Sequence, residues 1–84
     1  MEIRGLYYDG RTSQSREVRL VFFPHGSVQI LGEGVSLEFP LSDLDFASRI
    51  GNTPRAITLP NHGKCEIADN DALDAVLLSL GNRH

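Results

Sequence analysis

The sequence predicts a mainly β domain that ends in a single α-helix. Short runs of alternating apolar and polar residues recur along most of the chain, and Gly, Pro, Asn or Asp residues separate them. Near residue 70 the pattern changes to an apolar stripe with helical spacing. The chain has 84 residues, which is enough for one small hydrophobic core. Residues 1–84 are therefore expected to form one domain.

Seven runs have the length and the alternation that are typical of β-strands. In chain order they cover residues 3–8, 17–23, 27–31, 35–39, 44–50, 55–59 and 64–67. The second and third runs give the clearest hairpin, because the short Gly-containing connection Pro24-His25-Gly26 joins them. Pro40 is expected to end the fourth run, since it has no N–H to donate to a sheet.

The helix is predicted over residues 70–80. Its apolar stripe follows the i, i+3, i+4, i+7 spacing and consists of Leu73, Val76, Leu77 and Leu80. Asp69 or Asn70 can cap its first turn, where free N–H groups and the positive end of the helix dipole favour such side chains. Gly81 stands where a residue with positive φ commonly follows a helix.

Seven strands followed by one helix is the element order of a pleckstrin-homology-like split barrel. In that architecture a C-terminal helix plugs one open end of packed antiparallel strands. A two-sheet antiparallel sandwich capped by the helix would give the same order. Both alternatives place the apolar face of the helix against the sheet.

Composition excludes several classes of protein. The net charge is −3 and no stretch concentrates the cationic residues, so a nucleic-acid partner is disfavoured. The single cysteine, Cys65, cannot form an internal disulfide. No signal peptide is visible at the N-terminus, and no apolar run approaches the 18 or so residues that span a bilayer.

His62 and Cys65 are the residues whose spacing could be read as chemistry. Zinc needs three or four ligands, and neither His25 nor Asp69 stands at a recognisable spacing from this pair. A Cys nucleophile with a His base would need a group that orients the His and an oxyanion hole, which the spacing does not provide. We therefore expect no catalytic residue, no metal site and no cofactor.

Two arginine-bearing loops remain as an interaction or anion-binding patch. Arg11 and Arg16 belong to a polar loop over residues 9–16, and one guanidinium can bind phosphate through two hydrogen bonds. Arg49, Asn52 and Arg55 belong to a second loop, in which Gly and Pro residues fix the backbone path. The alternative for the second loop is a tight turn in which Gly51 and Asn52 adopt positive φ and the arginines pair with acidic residues across the sheet.

Several strings together resemble a known family. They are Gly5-Leu6-Tyr7-Tyr8-Asp9-Gly10, Gly32-Glu33-Gly34, Phe39-Pro40-Leu41-Ser42-Asp43-Leu44, Ser48-Arg49-Ile50-Gly51-Asn52-Thr53-Pro54-Arg55, Cys65-Glu66 and Asp69-Asn70-Asp71-Ala72-Leu73-Asp74. From about residue 5 to residue 80 the chain resembles the N-terminal domain of bacterial membrane-anchored zinc metallopeptidases related to HtpX and the CAAX-type proteases. In that family a transmembrane segment and a peptidase domain with His-Glu-x-x-His follow this domain.

The resemblance implies a parent protein rather than an activity of this chain. His25, His62 and His84 form no pair at i, i+4, so metallopeptidase activity transfers to no residue here. The implied role is that of a non-catalytic accessory module on the cytoplasmic face of the membrane, as part of a larger membrane-bound peptidase. Its expected partner is a protein, either the peptidase domain itself or a substrate. The alternative is a domain that binds anions or lipid headgroups through its loop arginines.

Overall fold

The structure, a computed structural model, describes residues 1–81; His84 lies outside them. It contains seven strands, a short 3₁₀ turn and one helix. Their bounds are β1 Glu2–Tyr8, β2 Ser15–Phe22, β3 Ser27–Gly32, β4 Val35–Pro40, the 3₁₀ turn Leu41–Asp43, β5 Asp45–Phe46, β6 Arg55–Thr58, β7 Lys64–Ile67 and α1 Asn70–Gly81. The predicted class, mainly β with one C-terminal helix, is confirmed.

All seven strands belong to one antiparallel sheet that curls into a half-barrel. Their spatial order is β4-β3-β2-β1-β7-β6-β5. The N-terminal strand β1 therefore lies in the middle, between β2 and β7. The edges of the sheet are β4 on one side and the two-residue strand β5 on the other.

The core lies between the concave face of the sheet and the helix. Because side chains alternate along a strand, every second residue faces this core. The fully buried members are Leu20, Phe22, Val28, Ile30, Ile57, Cys65, Ile67 and Leu73. Helix residues Leu73, Val76 and Leu80 belong to the same cluster as the strand residues, which confirms the apolar stripe of the helix.

Gly5 allows close packing near the centre of the sheet. A Cβ atom at this position would lie 2.6 Å from the Ile67 Cδ1 atom and 3.0 Å from the carbonyl oxygen of Glu66. Both distances are shorter than ordinary contacts of a side-chain carbon. The missing side chain of Gly5 therefore lets β1 approach the side chains of β7 on the concave face.

The predicted fifth strand is too long. The expected range was 44–50, but β5 ends at Phe46 and only one further backbone bond, from Ala47 N to the Ala56 oxygen at 3.0 Å, continues the pairing. The chain then turns, with Thr53 N donating to the Ile50 oxygen at 3.0 Å and Gly51 at φ +53°. The apolar residues before this turn have the spacing of a strand, and the turn ends that strand early.

The sequence predicts the start of the helix correctly but not its end. Asp69 caps the first turn, because its Oδ1 atom accepts a hydrogen bond from Ala72 N at 3.0 Å. Gly81, which was expected to follow the helix with positive φ, is instead its last residue and is not in the left-handed region. No helix within residues 1–81 is both long and apolar enough to span a membrane.

Candidate functional site

Strand β4 has one hydrogen-bonding edge that no other strand of residues 1–81 occupies. The direction of its amides follows from the β2–β3 hairpin. Phe23 N donates to the Ser27 oxygen at 2.9 Å, so this pair is hydrogen-bonded. Hydrogen-bonded and non-hydrogen-bonded pairs alternate in antiparallel strands. The backbone groups of Val28 and Ile30 therefore point away from β2 and towards β4.

The same alternation identifies the free groups of β4. Phe39 and Leu37 are opposite Val28 and Ile30, and their N–H and C=O groups bond to β3. The intervening residues, Ser36 and Glu38, therefore direct their N–H and C=O groups to the open edge. Pro40 follows in the same phase, and its lack of an N–H removes no bond to β3.

A groove of about 290 Å³ lies against the first half of β4, where Val35 and Leu37 face the concave side. One wall is formed by four consecutive residues, Gly34 to Leu37. Because neighbouring side chains of a strand point to opposite faces, a wall of four consecutive residues includes backbone atoms of the strand. The other wall comes from β1, the β1–β2 loop and the start of β2, and its residues are Tyr7, Asp9, Thr12, Gln14 and Arg16.

Both charge signs are present in the wall opposite β4. Within residues 1–81 the Arg16 guanidinium makes one long hydrogen bond, 3.5 Å from its NH1 atom to the carbonyl oxygen of Gly34. Asp9 accepts hydrogen bonds from the backbone N–H groups of Arg11 at 2.8 Å and Thr12 at 3.1 Å. These two bonds lower the pKa of the Asp9 carboxyl from its ordinary value. The loop is thus organised around an anion of its own.

Apolar side chains of the edge strand are incompletely covered. Leu37 and Phe39 point to the concave side, yet both are only half-buried, whereas Val28 and Ile30 on the neighbouring strand are fully buried. Glu38, on the convex side, is exposed and accepts one hydrogen bond, from Gln29 Nε2 at 3.3 Å. The edge therefore combines free backbone groups, partly covered apolar groups and an exposed carboxylate.

The second arginine loop is attached to the helix by ion pairs. The Arg49 NH1 atom lies 2.6 Å from the Asp74 Oδ2 atom and 2.9 Å from the Asp71 Oδ1 atom. The Arg55 guanidinium donates to the other carboxylate oxygen of Asp74. These pairs lower the pKa of the Asp74 carboxyl, chiefly through Arg49. We call these residues, Arg49, Arg55, Asp71 and Asp74, the helix clasp.

Arg55 is the buried member of the helix clasp. Only 7% of this residue is exposed, although it starts a strand of an 84-residue protein. Its Nε–H group donates to the carbonyl oxygen of Ala47 at 3.2 Å. The guanidinium therefore connects the loop after β5, strand β6 and the helix. The arginines pair with the helix, not with acidic residues across the sheet.

The five residues of the predicted patch lie in two places. Arg11 and Arg16 lie at the β1–β2 end of the sheet, where Arg16 lines the groove, whereas Arg49 and Arg55 belong to the helix clasp. Asn52 is exposed in the turn before β6, and its φ is not positive, in contrast to the expectation for that turn. Among the described residues, neither Arg11 nor Arg16 makes a salt bridge.

Asn70, which the sequence offers as an alternative cap residue, is a buried polar residue. Its Nδ2–H group donates to the carbonyl oxygen of Thr53 at 3.0 Å, which ties the start of the helix to the turn before β6. Its Oδ1 atom is buried and has no hydrogen-bond partner in the part of the chain that the structure describes. The sequence predicts only a capping role for Asp69 or Asn70. It therefore gives no indication that the Asn70 side chain is buried.

Cys65 and His62 do not form a reactive pair. Cys65 is fully buried in the core, and burial raises the pKa of its thiol to about 12. His62 is exposed and occupies the β6–β7 turn with φ +71°. Within residues 1–81 no group of three or more His, Cys, Asp or Glu side chains is arranged to hold a metal ion.

An apolar cleft lies at the far end of the helix. Its volume is about 670 Å³, and its apolar walls come from Leu41, Leu44, Phe46, Leu77 and Leu80. The exposed His25 and the half-buried Gly26, from the β2–β3 turn, form part of its rim. Among the residues that the structure describes, none that lines this cleft is an Asp, Glu, Lys or Arg that would orient a charged ligand.

The comparisons with known proteins identify a family. A family model described as a domain of unknown function, DUF7092, matches residues 2–80, which include every strand and nearly the whole helix. Searches among curated proteins and among solved structures gave no match. The unit that the family model describes is therefore the half-barrel together with its helix. The chain belongs to the DUF7092 family of domains of unknown function.

Proposed function

We propose that this chain is a non-catalytic interaction module of a membrane-anchored zinc metallopeptidase, at the cytoplasmic face of the membrane. The observation that carries the interaction role is the free edge of β4, where the Ser36 and Glu38 backbone groups face solvent beside a groove. Edge strands are common sites for binding extended protein segments. The expected partner is therefore a protein.

The state of the reactive side chains favours a non-catalytic role. A Cys nucleophile acts as the thiolate, and a thiol with a pKa of about 12 in a dry core supplies almost none at neutral pH. Asp71 and Asp74 form ion pairs with Arg49 and Arg55, so they are engaged in holding the helix. The chemistry of the parent would then be supplied by another domain.

The metallopeptidase parent is proposed from the resemblance of the strings quoted above. The most specific strings are 48–55 and 69–74, which contain the helix clasp. Their charged residues form ion pairs with one another, so the two strings depend on each other in the fold. A domain built around the same clasp can serve as a rigid attachment beside a peptidase domain.

Deletion of residues 2–80 from the longer gene product tests this role. We expect the deletion to leave zinc content unchanged and to reduce cleavage of a membrane-protein substrate in vesicles. The matched control replaces the Glu of His-Glu-x-x-His by Gln, which should abolish cleavage with the domain in place. Unchanged cleavage after deletion, or a longer product without this motif, would contradict the proposal.

Anion binding at the groove is a second candidate function. Its support is that neither Arg11, in the β1–β2 loop, nor Arg16, at the start of β2, makes a salt bridge within residues 1–81, and one Arg can bind phosphate through two hydrogen bonds. Inositol hexakisphosphate and vesicles with phosphatidylserine are suitable probes in a titration followed by ¹H–¹⁵N NMR. Shifts confined to the β1–β2 loop that disappear in Arg16→Gln would support it. Equal shifts at Arg49 or Arg55 would indicate non-specific charge attraction.

A further inference from the structure

We infer that the free edge of β4 accepts an extended peptide as an eighth, antiparallel strand of the sheet. This inference rests on the proposed interaction role and names the form of its partner. Ser36 and Glu38 each direct one N–H and one C=O group to the edge, so a peptide can form two hydrogen-bonded pairs with them. Within residues 1–81 only β3 pairs with β4, so no strand of the sheet occupies this edge.

The groove and the apolar side chains indicate what faces the concave side of the added strand. A volume of about 290 Å³ is at the lower limit of small-molecule sites, which measure about 300–1,000 Å³. It suits one or two side chains better than a cofactor. Leu37 and Phe39 are half-buried there, so apolar side chains at alternate positions of the peptide would complete their burial.

Two charges set the polar positions of the peptide. Glu38 is exposed on the convex face, so the peptide residue opposite it should be basic. Arg16 lies on the concave side at the other end of the groove, where its guanidinium has one long bond to the Gly34 oxygen. A carboxylate at this end of the peptide would replace that bond by a stronger ion pair.

The resulting probe is the heptapeptide Val-Lys-Ile-Thr-Val-Thr-Glu. In antiparallel register its Lys lies opposite Glu38, its first Thr lies opposite Ser36 and its Glu reaches towards Arg16. Its Val and Ile residues face the concave side. Pro40, which lacks an N–H group, limits the ladder to the two pairs at Ser36 and Glu38. A ladder this short predicts a weak complex, of micromolar affinity.

N-methylation of the peptide tests the ladder directly. The amides of Lys and of the first Thr would donate to β4, whereas those of Ile and of the second Val would point to solvent. We expect methylation of the first two amides to weaken binding to the 84-residue chain at least about tenfold, and methylation of the other two to leave it unchanged. Isothermal titration calorimetry gives the affinities. Equal effects of the two methylation patterns would overturn the inference.

Ser36→Pro supplies the matching change in the protein. It removes an N–H group that faces the open edge and leaves the ladder to β3 intact, as the native Pro40 does in the same phase. We expect an unchanged melting temperature and at least about a tenfold loss of peptide affinity, which corresponds to about 1.4 kcal/mol. Ser36→Ala, which keeps the N–H group, should bind as the parent chain does. If Ser36→Pro binds equally well, the inference is wrong.

Should Ser36→Pro unfold the chain, the peptide's two methylation patterns still decide the question on the unaltered protein.

A second copy of this chain is the other occupant that could pair with β4. Light scattering that showed a dimer at micromolar concentration, abolished by Ser36→Pro, would replace the peptide by a second copy and overturn the inference. The longer gene product separates this inference from the proposed function. If deletion of residues 2–80 reduces cleavage but Ser36→Pro does not, the domain has the proposed function and the β4 edge is not the surface that it uses.

Discussion

The guanidinium of Arg55, at the start of β6, donates to the carboxylate of Asp74 on the helix. Arg49 approaches the other oxygen of the same carboxylate at 2.6 Å, so one aspartate receives two arginines from one loop. The first half of the helix is therefore held by charge and by the buried Leu73, and its second half is held by apolar packing of Val76 and Leu80.

Arg55→Ala should destabilise the protein by about 2–4 kcal/mol, because it removes a buried cation and leaves the Ala47 oxygen and Asp74 without this donor. Urea unfolding followed by circular dichroism measures the change. Arg49→Ala is the matched control, and its loss should be clearly smaller because the Arg49 side chain is 38% exposed. Equal losses would show that Arg55 has no special role.

The helix clasp also predicts a dependence of stability on pH. The pKa of Asp74 is lowered from 3.8, first by its hydrogen bond to Arg49 and then by that to Arg55. A depressed folded-state pKa gives a contribution that is complete above the unfolded-state pKa and is lost as pH falls through the folded-state value. The free energy of unfolding should therefore fall below about pH 4.

Asp74→Asn is the control for this pH dependence. It should lower stability at pH 7 and flatten the decline below about pH 4. Some decline should remain, since the pKa of Asp9 is lowered as well, by the backbone N–H groups of Arg11 and Thr12. An unfolding curve of Asp74→Asn with the same pH dependence as the parent chain would contradict the assignment of this effect to the helix clasp.

Cys65 should be inert towards thiol reagents in the folded protein. Its pKa of about 12 leaves almost no thiolate at pH 8, and no part of the residue is exposed. Reaction with Ellman's reagent should therefore occur only through unfolding, at a rate that rises with urea as the unfolded fraction rises. Rapid reaction without denaturant would mean that the thiol is accessible and would reopen the question of a Cys nucleophile.

The helix cap can be tested by Asp69→Ala. The Asp69 side chain accepts a hydrogen bond from Ala72 N, and its removal should lower the free energy of unfolding by about 1 kcal/mol. Asp69→Asn keeps an acceptor oxygen at this position and should retain most of the stability. Thermal unfolding of both variants at pH 7 provides the comparison. Equal destabilisation by Ala and Asn would indicate that charge, and not capping, is the property that matters.

Alternation predicted most of the sheet because one face is buried. Val18, Leu20 and Phe22 occupy every second position of β2, and all three lie in the core as that pattern requires. The same signal fails for the fifth strand. Ile50 is in phase with Leu44 and Phe46 but is 72% exposed, because it belongs to the turn that Thr53 N closes on its oxygen, next to Arg49, which pairs with the helix. A long-range ion pair has no local signature in the sequence.

The candidate site was predicted only in part for a similar reason. The sequence shows the four arginines. It does not show that Arg49 and Arg55 join the helix clasp while Arg11 and Arg16 do not, because this depends on which acidic residues fold next to them. The free edge of β4 was not predictable, because strand order decides which strand is last. Strand β1 could have paired with other neighbours without any change in the local pattern of Ile3 and Tyr7.

The central position of β1 has a consequence for the order in which the chain assembles. Its pairing with β2 joins residues close in sequence, and β2, β3 and β4 follow as consecutive hairpins that are complete by residue 40. Its pairing with β7 must wait for residues 64–67. During synthesis at about 5–20 residues per second, β1 therefore has one satisfied edge and one open edge for a few seconds. Any chaperone that shields the nascent domain would be needed at the open edge of β1 during this interval, before β7 closes it.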